Sequence, residues 1–214
     1  MLQRKKGLIL ALDVTERERA LKIVREVYQY VDAIKVNYPL VLGCGIEIVK
    51  EIAPMKYVLC DFKIADIPNT NRLIAELAFG KGASGVIVHA FPGRDSLKAV
   101  KDVADKFGGD VFTVVEMSHP GGAEFTAKHA EEFASIAREV GARGIIAPAT
   151  RPEKIERLRK IIGEEMLILS PGVGVQGGNP VQAIKAGADY LIVGRSIYEA
   201  ANPAKEAEGL RMLL

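Results

Sequence analysis

Short apolar runs alternate with longer amphipathic runs along the whole chain, and this alternation limits the folds that the chain can adopt. The apolar runs predict strands at Gly7–Asp13, Ala33–Tyr38, Tyr57–Lys63, Gly85–Ala90, Val111–Met117, Gly144–Ala149, Leu167–Pro171 and Tyr190–Arg195. Between them, segments such as Arg17–Tyr28 and Ala130–Val140 repeat apolar residues at helical spacing. Near-continuous apolar strands separated by helices indicate a parallel sheet that is covered on both faces.

The number and order of these units favour a closed barrel. About eight strand–helix units in one chain fit a single (β/α)₈ TIM barrel, and we predict one such domain over residues 1–214. A doubly wound open sheet is the alternative. It needs a glycine-rich phosphate turn after the first strand, and Asp13–Glu16 contains no glycine. Several helices end in a Gly-Ala step, at Gly82, Gly141 and Gly187, where glycine suits a left-handed backbone.

Composition excludes several classes of protein. The chain is 49% hydrophobic and 26% charged with a net charge of +2, which is too small to indicate a nucleic-acid partner. The basic start leads into an apolar run, Leu8–Leu12, that is too short for a signal peptide or a membrane span. Cys44 and Cys60 lack metal-site spacing, so we expect buried packing roles, no metal and a cytoplasmic location.

Polar residues stand where the predicted strands end, which is where a barrel of this type has its active site. They are Asp13, Lys35, Asp61, Lys63, Asp66, Glu116 with Ser118, and Arg195. Alternation along the third strand directs Asp61 and Lys63 to the same face, with Phe62 opposite. A lysine beside carboxylates stays protonated, which suits a general acid that delivers a proton to carbon.

Each of these residues also has a structural interpretation. Asp13 is placed to cap a helix that begins near Thr15, and Asp66 precedes Ile67-Pro68, where a helix is expected to begin. Lys35 alone is suited to neutralise an inner carboxylate, and Asp61 and Lys63 alone fit a structural ion pair. The convergence of opposite charges at one barrel mouth favours the catalytic interpretation.

A glycine-rich segment, Ser170–Pro180, follows the seventh strand, and Gly194-Arg195 ends the eighth. Loops after strands 7 and 8 form a frequent phosphate site in such barrels. Arg195 can bind phosphate oxygens in a fork, and Gln176 lies where the loop can close over a ligand. The alternative is a flexible connection. We interpret the pair of loops as a site for a phosphorylated small molecule.

Three other residues carry weaker signals. His89 ends an apolar strand and is expected to be a partly buried, hydrogen-bonded histidine. Ser118 is suited either to hydrogen-bond a polar heterocycle or to cap its loop, and His129 lies in a polar, solvated helix. No Ser-His-Asp set, P-loop, dinucleotide fingerprint or HExxH motif occurs.

Taken together, these motifs resemble the orotidine 5'-monophosphate decarboxylase family, of the small archaeal or bacterial kind. The segments that carry the resemblance are Leu8–Asp13, Asp32–Lys35, Asp61–Pro68, Glu116–Gly121, Ser170–Gly174 and Val193–Tyr198. They extend over essentially the whole chain, and the DxKxxDIPxT-type run at Asp61–Thr70 is specific.

The resemblance implies loss of CO₂ from orotidine monophosphate to give uridine monophosphate, a step of pyrimidine biosynthesis, without a cofactor. It assigns the charged network to Lys35, Asp61, Lys63 and Asp66. Asp61 is expected to lie against the substrate carboxylate, while Lys63 stabilises negative charge at pyrimidine C6 and protonates that carbon.

The resemblance also implies the substrate contacts and a homodimer. Asp13 and Lys35 are expected to hold ribose hydroxyls, and Ser118 to recognise the pyrimidine edge. The full set of implied substrate contacts is Asp13, Lys35, Asp61, Ile67, Thr70, Ser118, Pro171, Val173, Gln176, Gly194 and Arg195. Of these, Gln176, Gly194 and Arg195 are assigned to the phosphate. Asp66, Ile67 and Thr70 are expected to complete the site of the neighbouring subunit.

Two alternatives remain at this point. A magnesium-dependent sugar-phosphate decarboxylase or aldolase, of the ketogulonate-phosphate or hexulose-phosphate type, shares the Asp-x-Lys-x-x-Asp run and the phosphate loops. Such enzymes have an acidic metal ligand at the end of the second strand, where this chain has Lys35. A non-catalytic sensor of phosphorylated ligands is the other alternative, but it has no need for the pairing of Lys63 with aspartates.

Overall fold

Eight parallel strands close into a barrel in sequence order in the computed structural model, which describes residues 1–214. The strands are β1 (Gly7–Leu12), β2 (Ala33–Asn37), β3 (Tyr57–Ile64), β4 (Gly85–His89), β5 (Asp110–Val114), β6 (Gly144–Ile146), β7 (Leu167–Pro171) and β8 (Tyr190–Val193). β8 pairs with β1 and completes the closure. The predicted (β/α)₈ barrel is therefore confirmed, and the open sheet is excluded.

Helices connect the strands and cover the outside of the barrel. They are α1 (Arg17–Val27), α2 (Tyr38–Cys44), α3 (Glu47–Ile52), α4 (Pro68–Gly80), α5 (Arg94–Phe107), α6 (Ala130–Val140), α7 (Pro152–Ile162), α8 (Pro180–Lys185), α9 (Arg195–Tyr198) and α10 (Pro203–Arg211), with 3₁₀ turns at Pro120–Ala123 and Thr126–Lys128. The glycines of the Gly-Ala steps have positive φ, for example 78° at Gly141 and 113° at Gly187. None of these helices has the length and hydropathy that a transmembrane span requires.

Three strands end two or three residues earlier than their apolar runs predict. β5, β6 and β8 stop at Val114, Ile146 and Val193, whereas the runs continue to Met117, Ala149 and Arg195. The residues just beyond β5 and β6 stay buried at the barrel mouth as irregular chain, and the Ala149 N–H donates to the Pro171 carbonyl at 2.8 Å. Hydrophobicity alone therefore does not show where these strands end.

The barrel interior is closed at the end opposite the predicted active site. Leu2 is 5% exposed and packs with the interior side chains of the strands. Its N–H donates to Asp110 at 3.1 Å, and the Tyr190 hydroxyl donates to the Gln3 carbonyl at 2.6 Å. A separate and larger apolar cluster lies between the strands and the helices. The N-terminal segment thus covers this end of the barrel interior, and the cleft described below opens at the carboxyl ends of the strands.

Candidate active site

A cleft of about 270 Å³ opens at the carboxyl ends of the strands. Most of the predicted site residues line it: Asp13, Lys35, Asp61, Lys63, Ser118, Pro171, Val173, Gln176, Gly194 and Arg195. Its floor is apolar and includes Ile87, Val114, Ile146 and Ile192, which belong to the barrel interior. Asp66, Ile67 and Thr70 do not line the cleft. The cleft therefore combines an apolar floor with charged and polar walls.

Asp61 lies between two lysines at the centre of this cleft. Its carboxylate is 2.9 Å from the Lys35 Nζ and 2.9 Å from the Lys63 Nζ. Asp13 extends the row, with its Oδ1 3.7 Å from the Lys35 Nζ. Side chains of Lys35 and Asp61 are 7% and 6% exposed, whereas that of Lys63 is 33% exposed. Lys63 is thus the cation of the row that is open to a ligand.

The pairing keeps the inner groups charged despite their burial. Burial favours the neutral form of Asp61, but the charges of Lys35 and Lys63 outweigh it and lower the pKa of the carboxyl group. Burial likewise disfavours the charged form of Lys35. Asp61 and then Asp13 outweigh that effect and raise the pKa of Lys35. The centre of the cleft therefore holds alternating fixed charges.

A bulge in β3 shapes this centre. From Cys60 to Ile64 strand β3 advances four residues, while its partner β4 advances two, from Val86 to Val88. Lys63 lies in the bulge and is the one non-glycine residue with positive φ, at 42°. For an L-residue this conformation costs about 1 to 2 kcal/mol. Asp61 and Lys63 share a face as predicted, but through a bulged strand rather than a regular one.

Asp13 and Asp66 differ in what they contact. The capping interpretation of Asp13 is wrong, because Glu16 precedes α1 and no side chain caps that helix. Asp13 instead faces Lys35, and its buried Oδ1 has no hydrogen-bond partner. Asp66 is exposed outside the cleft, and its Oδ1 accepts from the Ile67 N–H at 2.7 Å ahead of α4. Within its own subunit, Asp66 therefore accepts a hydrogen bond from the backbone ahead of α4.

The two glycine-rich loops meet at the other end of the cleft. Gly174 has a φ of 79°, which residues other than glycine rarely adopt, and a Cβ there would approach the Ser196 Oγ, so glycine suits the close approach of the loop after β7 to α9. Gly178 N–H donates to the Gly172 carbonyl at 2.9 Å and closes the loop on itself. Gln176 and Arg195 are exposed at the rim and line the cleft. This end presents polar groups to an anion.

A buried ion pair supports the wall that carries Ser118. Glu116 is fully buried, and the Arg151 Nε lies 2.5 Å from its Oε1. Arg151 also donates to the Met117 carbonyl. The sequence reasoning noted Glu116 but missed Arg151. The available signal was its place two residues after the sixth apolar run, close to a predicted strand end.

Two further residues change or extend the sequence interpretation. Asn37, at the end of β2, lines the cleft and was not predicted as a site residue. His89 is half-buried as expected but makes no hydrogen bond within the chain, and its ring lies 5.2 Å from that of Phe91. Burial, with a smaller effect of Lys63, lowers the pKa of His89 to about 4. His89 is therefore neutral near pH 7.

Comparison with known sequences places the chain in one family. A family model described as "Orotidine 5'-phosphate decarboxylase / HUMPS family" matches residues 6–210. The chain belongs to this family. Proteins named orotidine 5'-phosphate decarboxylase are 59% identical in Methanococcoides burtonii and 50% identical in Pyrococcus horikoshii. The first match covers 97% of this chain and 96% of the relative, and the second covers 95% and 96%.

Solved structures of the family superpose on the whole barrel. The orotidine 5'-monophosphate decarboxylase of Methanocaldococcus jannaschii, in complex with the inhibitor BMP, has a TM-score of 0.94 at 47% identity. That match covers 98% of this chain and 99% of the other. The Pyrococcus horikoshii enzyme has a TM-score of 0.89 at 49% identity, with 96% and 98% covered. The resemblance stated from the sequence motifs is confirmed.

Proposed function

We propose that this chain is an orotidine 5'-monophosphate decarboxylase that forms uridine monophosphate and CO₂ in pyrimidine biosynthesis. The observation that carries the proposal is the row Lys35–Asp61–Lys63, with both ammonium groups 2.9 Å from one buried carboxylate above an apolar floor. Its relatives with this name are up to 59% identical over nearly the full chain. No observation favours the magnesium-dependent alternative.

The proposed reaction breaks the bond between C6 of the pyrimidine and its carboxylate carbon. The electron pair of that bond stays on C6, and CO₂ leaves. The ammonium of Lys63 stabilises the developing negative charge because its position is fixed before the reaction, in a site that binding shields from water. Lys63 then donates a proton to C6 and becomes a neutral amine, which regains a proton from solvent.

Asp61 has two parts in this proposal. It fixes the Lys63 ammonium, from which both of its oxygens are 2.9 Å away. In the same position Asp61 lies against the substrate carboxylate and destabilises that anion, and this repulsion ends when the carboxylate leaves as neutral CO₂. Lys35 balances the charge of Asp61 from the buried side. The preorganised positive charge of Lys63 is the main source of acceleration in this scheme.

The remaining contacts hold the rest of the nucleotide. Asp13 and Lys35 are proposed to bind the ribose hydroxyls, and Ser118 the pyrimidine edge. The phosphate is proposed to lie between Gln176 on the loop after β7 and the Gly194-Arg195 step after β8. Arg195 supports this because it lines the cleft and its exposed side chain makes no hydrogen bond or ion pair within the chain. The apolar contacts of Pro171 and Val173 complete the set.

We further propose a homodimer in which Asp66, Ile67 and Thr70 complete the cleft of the partner. Their exclusion from the cleft of their own subunit supports this assignment, as does the 64% exposure of Ile67. Residues 1–214 are proposed to act as one domain. A cytoplasmic location is also proposed, and it suits the two free cysteines, Cys44 and Cys60.

One assay tests the activity. Purified protein is incubated with orotidine monophosphate in the presence of a chelator, and the loss of orotidine monophosphate absorbance is followed. Steady turnover is expected. Activity that requires added magnesium would instead support the sugar-phosphate lyase alternative, although Lys35 in β2 repels a divalent cation in the cleft. Tight binding without turnover would support a non-catalytic sensor.

A further inference from the structure

Tyr38 connects the end of β2 to the bulged part of β3. It follows Asn37 directly, and its hydroxyl donates to the Phe62 carbonyl at 2.8 Å. Its ring is stacked on that of Phe62, with centroids 5.5 Å apart and planes inclined by 24°. At its other end, the Tyr38 N–H donates to the Asn37 Oδ1 at 2.7 Å. The tyrosine is therefore held at its backbone, its ring and its hydroxyl.

The carbonyl that Tyr38 binds belongs to the peptide unit that enters Lys63. A peptide unit is planar, so a hydrogen bond to the Phe62 oxygen also fixes the direction of the Lys63 N–H. With φ at 42°, this plane determines where the Lys63 side chain leaves the backbone. The bond thus acts on the one non-glycine residue with positive φ, within the register shift of β3.

The same bond links the residue that follows β2 to β3, and these are the two strands that supply the lysines. Lys35 lies on β2 two residues before Asn37, and Lys63 follows Phe62 on β3. Tyr38 does not line the cleft, so it can act on the charged row only through these neighbours. Burial and, to a lesser degree, the charge of Asp61 raise the pKa of Tyr38, which keeps the hydroxyl protonated as a donor.

We propose that Tyr38 is a positioning residue for Lys63. Its hydroxyl holds the Phe62 carbonyl in the orientation that directs the Lys63 ammonium to Asp61 and into the cleft. The kinetic consequence rests on the proposed decarboxylase function, whereas the structural consequence does not. The stacked ring packs over Phe62, and the hydroxyl fixes the peptide plane.

Tyr38→Phe separates these two contributions because it keeps the ring and removes the hydroxyl. We expect kcat for orotidine monophosphate to fall about 10- to 100-fold, as for a small misplacement of a reacting group. KM and the affinity for uridine monophosphate should change less than about twofold, because Tyr38 does not line the cleft. Exchange of the C6 proton of uridine monophosphate for deuterium, measured by NMR, should fall in proportion, since it uses Lys63 without loss of CO₂.

Tyr28→Phe is the matched control. Tyr28 is half-exposed after α1, its ring lies under Lys56, and it does not line the cleft. Loss of the Tyr28 hydroxyl should leave kcat and the rate of C6 proton exchange unchanged. If Tyr38→Phe behaves like this control while the wild type turns over, the positioning role is wrong. A rise in KM that equals the fall in kcat/KM would also overturn it.

A crystal structure of Tyr38→Phe tests the inference without reference to activity. Lys63 is expected to leave its positive φ or to lose its contacts of 2.9 Å with both Asp61 oxygens. A variant in which Lys63 keeps this conformation and both contacts would refute the proposal, whatever the enzyme catalyses. An inactive wild-type protein whose variant shows the displaced lysine would refute the proposed function and retain the positioning role.

Discussion

The Lys63 ammonium lies 2.9 Å from both carboxylate oxygens of Asp61, two residues earlier on the same strand. The aspartate is almost completely buried, whereas a third of the lysine side chain is exposed. The pair therefore has a fixed anion on the inside and a cation on the cleft side. A ligand in the cleft can therefore reach the ammonium group, and the carboxylate holds that group in one place. This asymmetry suits a proton donor.

Replacing Lys63 by alanine tests the donor directly. We expect kcat to fall by about 10³-fold or more, because both the proton and the positive charge at C6 are lost. Binding of uridine monophosphate should remain measurable by calorimetry, since Asp61 keeps its contact with Lys35 and the phosphate end is unchanged. Lys98→Ala, an exposed lysine paired with Asp102 on α5, should retain full activity. Substantial residual decarboxylation by Lys63→Ala would rule out Lys63 as donor.

Asp61 makes the stability of the protein depend on pH in a defined direction. Its pKa is lowered in the folded state, so its stabilising contribution is complete above the unfolded value of about 3.9 and is lost as pH falls through the folded value. At pH 7 we expect Asp61→Asn to reduce the free energy of unfolding by about 3 kcal/mol, because the buried Lys35 loses its closest anion.

The difference in free energy of unfolding between wild type and Asp61→Asn should narrow below about pH 4. We expect it to fall by about 1.4 kcal/mol per pH unit until the folded pKa of Asp61 is reached. Urea unfolding between pH 3 and pH 7 measures it. Asp102→Asn is the control, because that carboxylate is half-exposed in an i,i+4 pair and should differ little from wild type at either pH. If the difference in free energy of unfolding stays constant down to pH 3, the lowered pKa of Asp61 is contradicted.

The sequence predicted those features that depend on local pattern. Apolar runs identified all eight strands, and alternation placed Asp61 and Lys63 on one face. Strand-end position selected seven of the 22 residues that line the cleft, among them Asp13, Lys63 and Arg195. These signals are local because strand alternation and the common edge of a parallel sheet need no knowledge of packing.

Features that depend on the register between strands could not be predicted. The bulge of β3 exists only relative to β4, and the positive φ of Lys63 follows from it, although lysine has no preference for that conformation. The bond from Tyr38 to Phe62 joins residues 24 positions apart, and the pair of Glu116 and Arg151 joins residues 35 apart. Such contacts are determined by three-dimensional packing and leave no periodic trace in the sequence.

Replacing Arg195 by alanine tests the phosphate end. A charged hydrogen bond contributes about 1.5 to 3 kcal/mol, so the affinity for uridine monophosphate should fall roughly 10- to 100-fold. The affinity for uridine, which lacks the phosphate, should not change, and the difference between the two ligands identifies the group that Arg195 binds. Arg157→Ala is the control, since this exposed arginine on α7 does not line the cleft. Unchanged affinity for uridine monophosphate in Arg195→Ala means that the phosphate site is misplaced.

Mixing two inactive variants tests whether Asp66 serves the partner subunit. Lys63→Ala and Asp66→Ala are each expected to be nearly inactive as homodimers. In a mixed dimer, the cleft with an intact Lys63 receives an intact Asp66 from the other subunit, so each mixed dimer regains one working site. Subunits unfolded together and refolded at equal ratio should therefore recover about a quarter of wild-type activity, because about half of the dimers are mixed. If Asp66 acts within its own subunit, every cleft keeps one defect and mixing restores nothing.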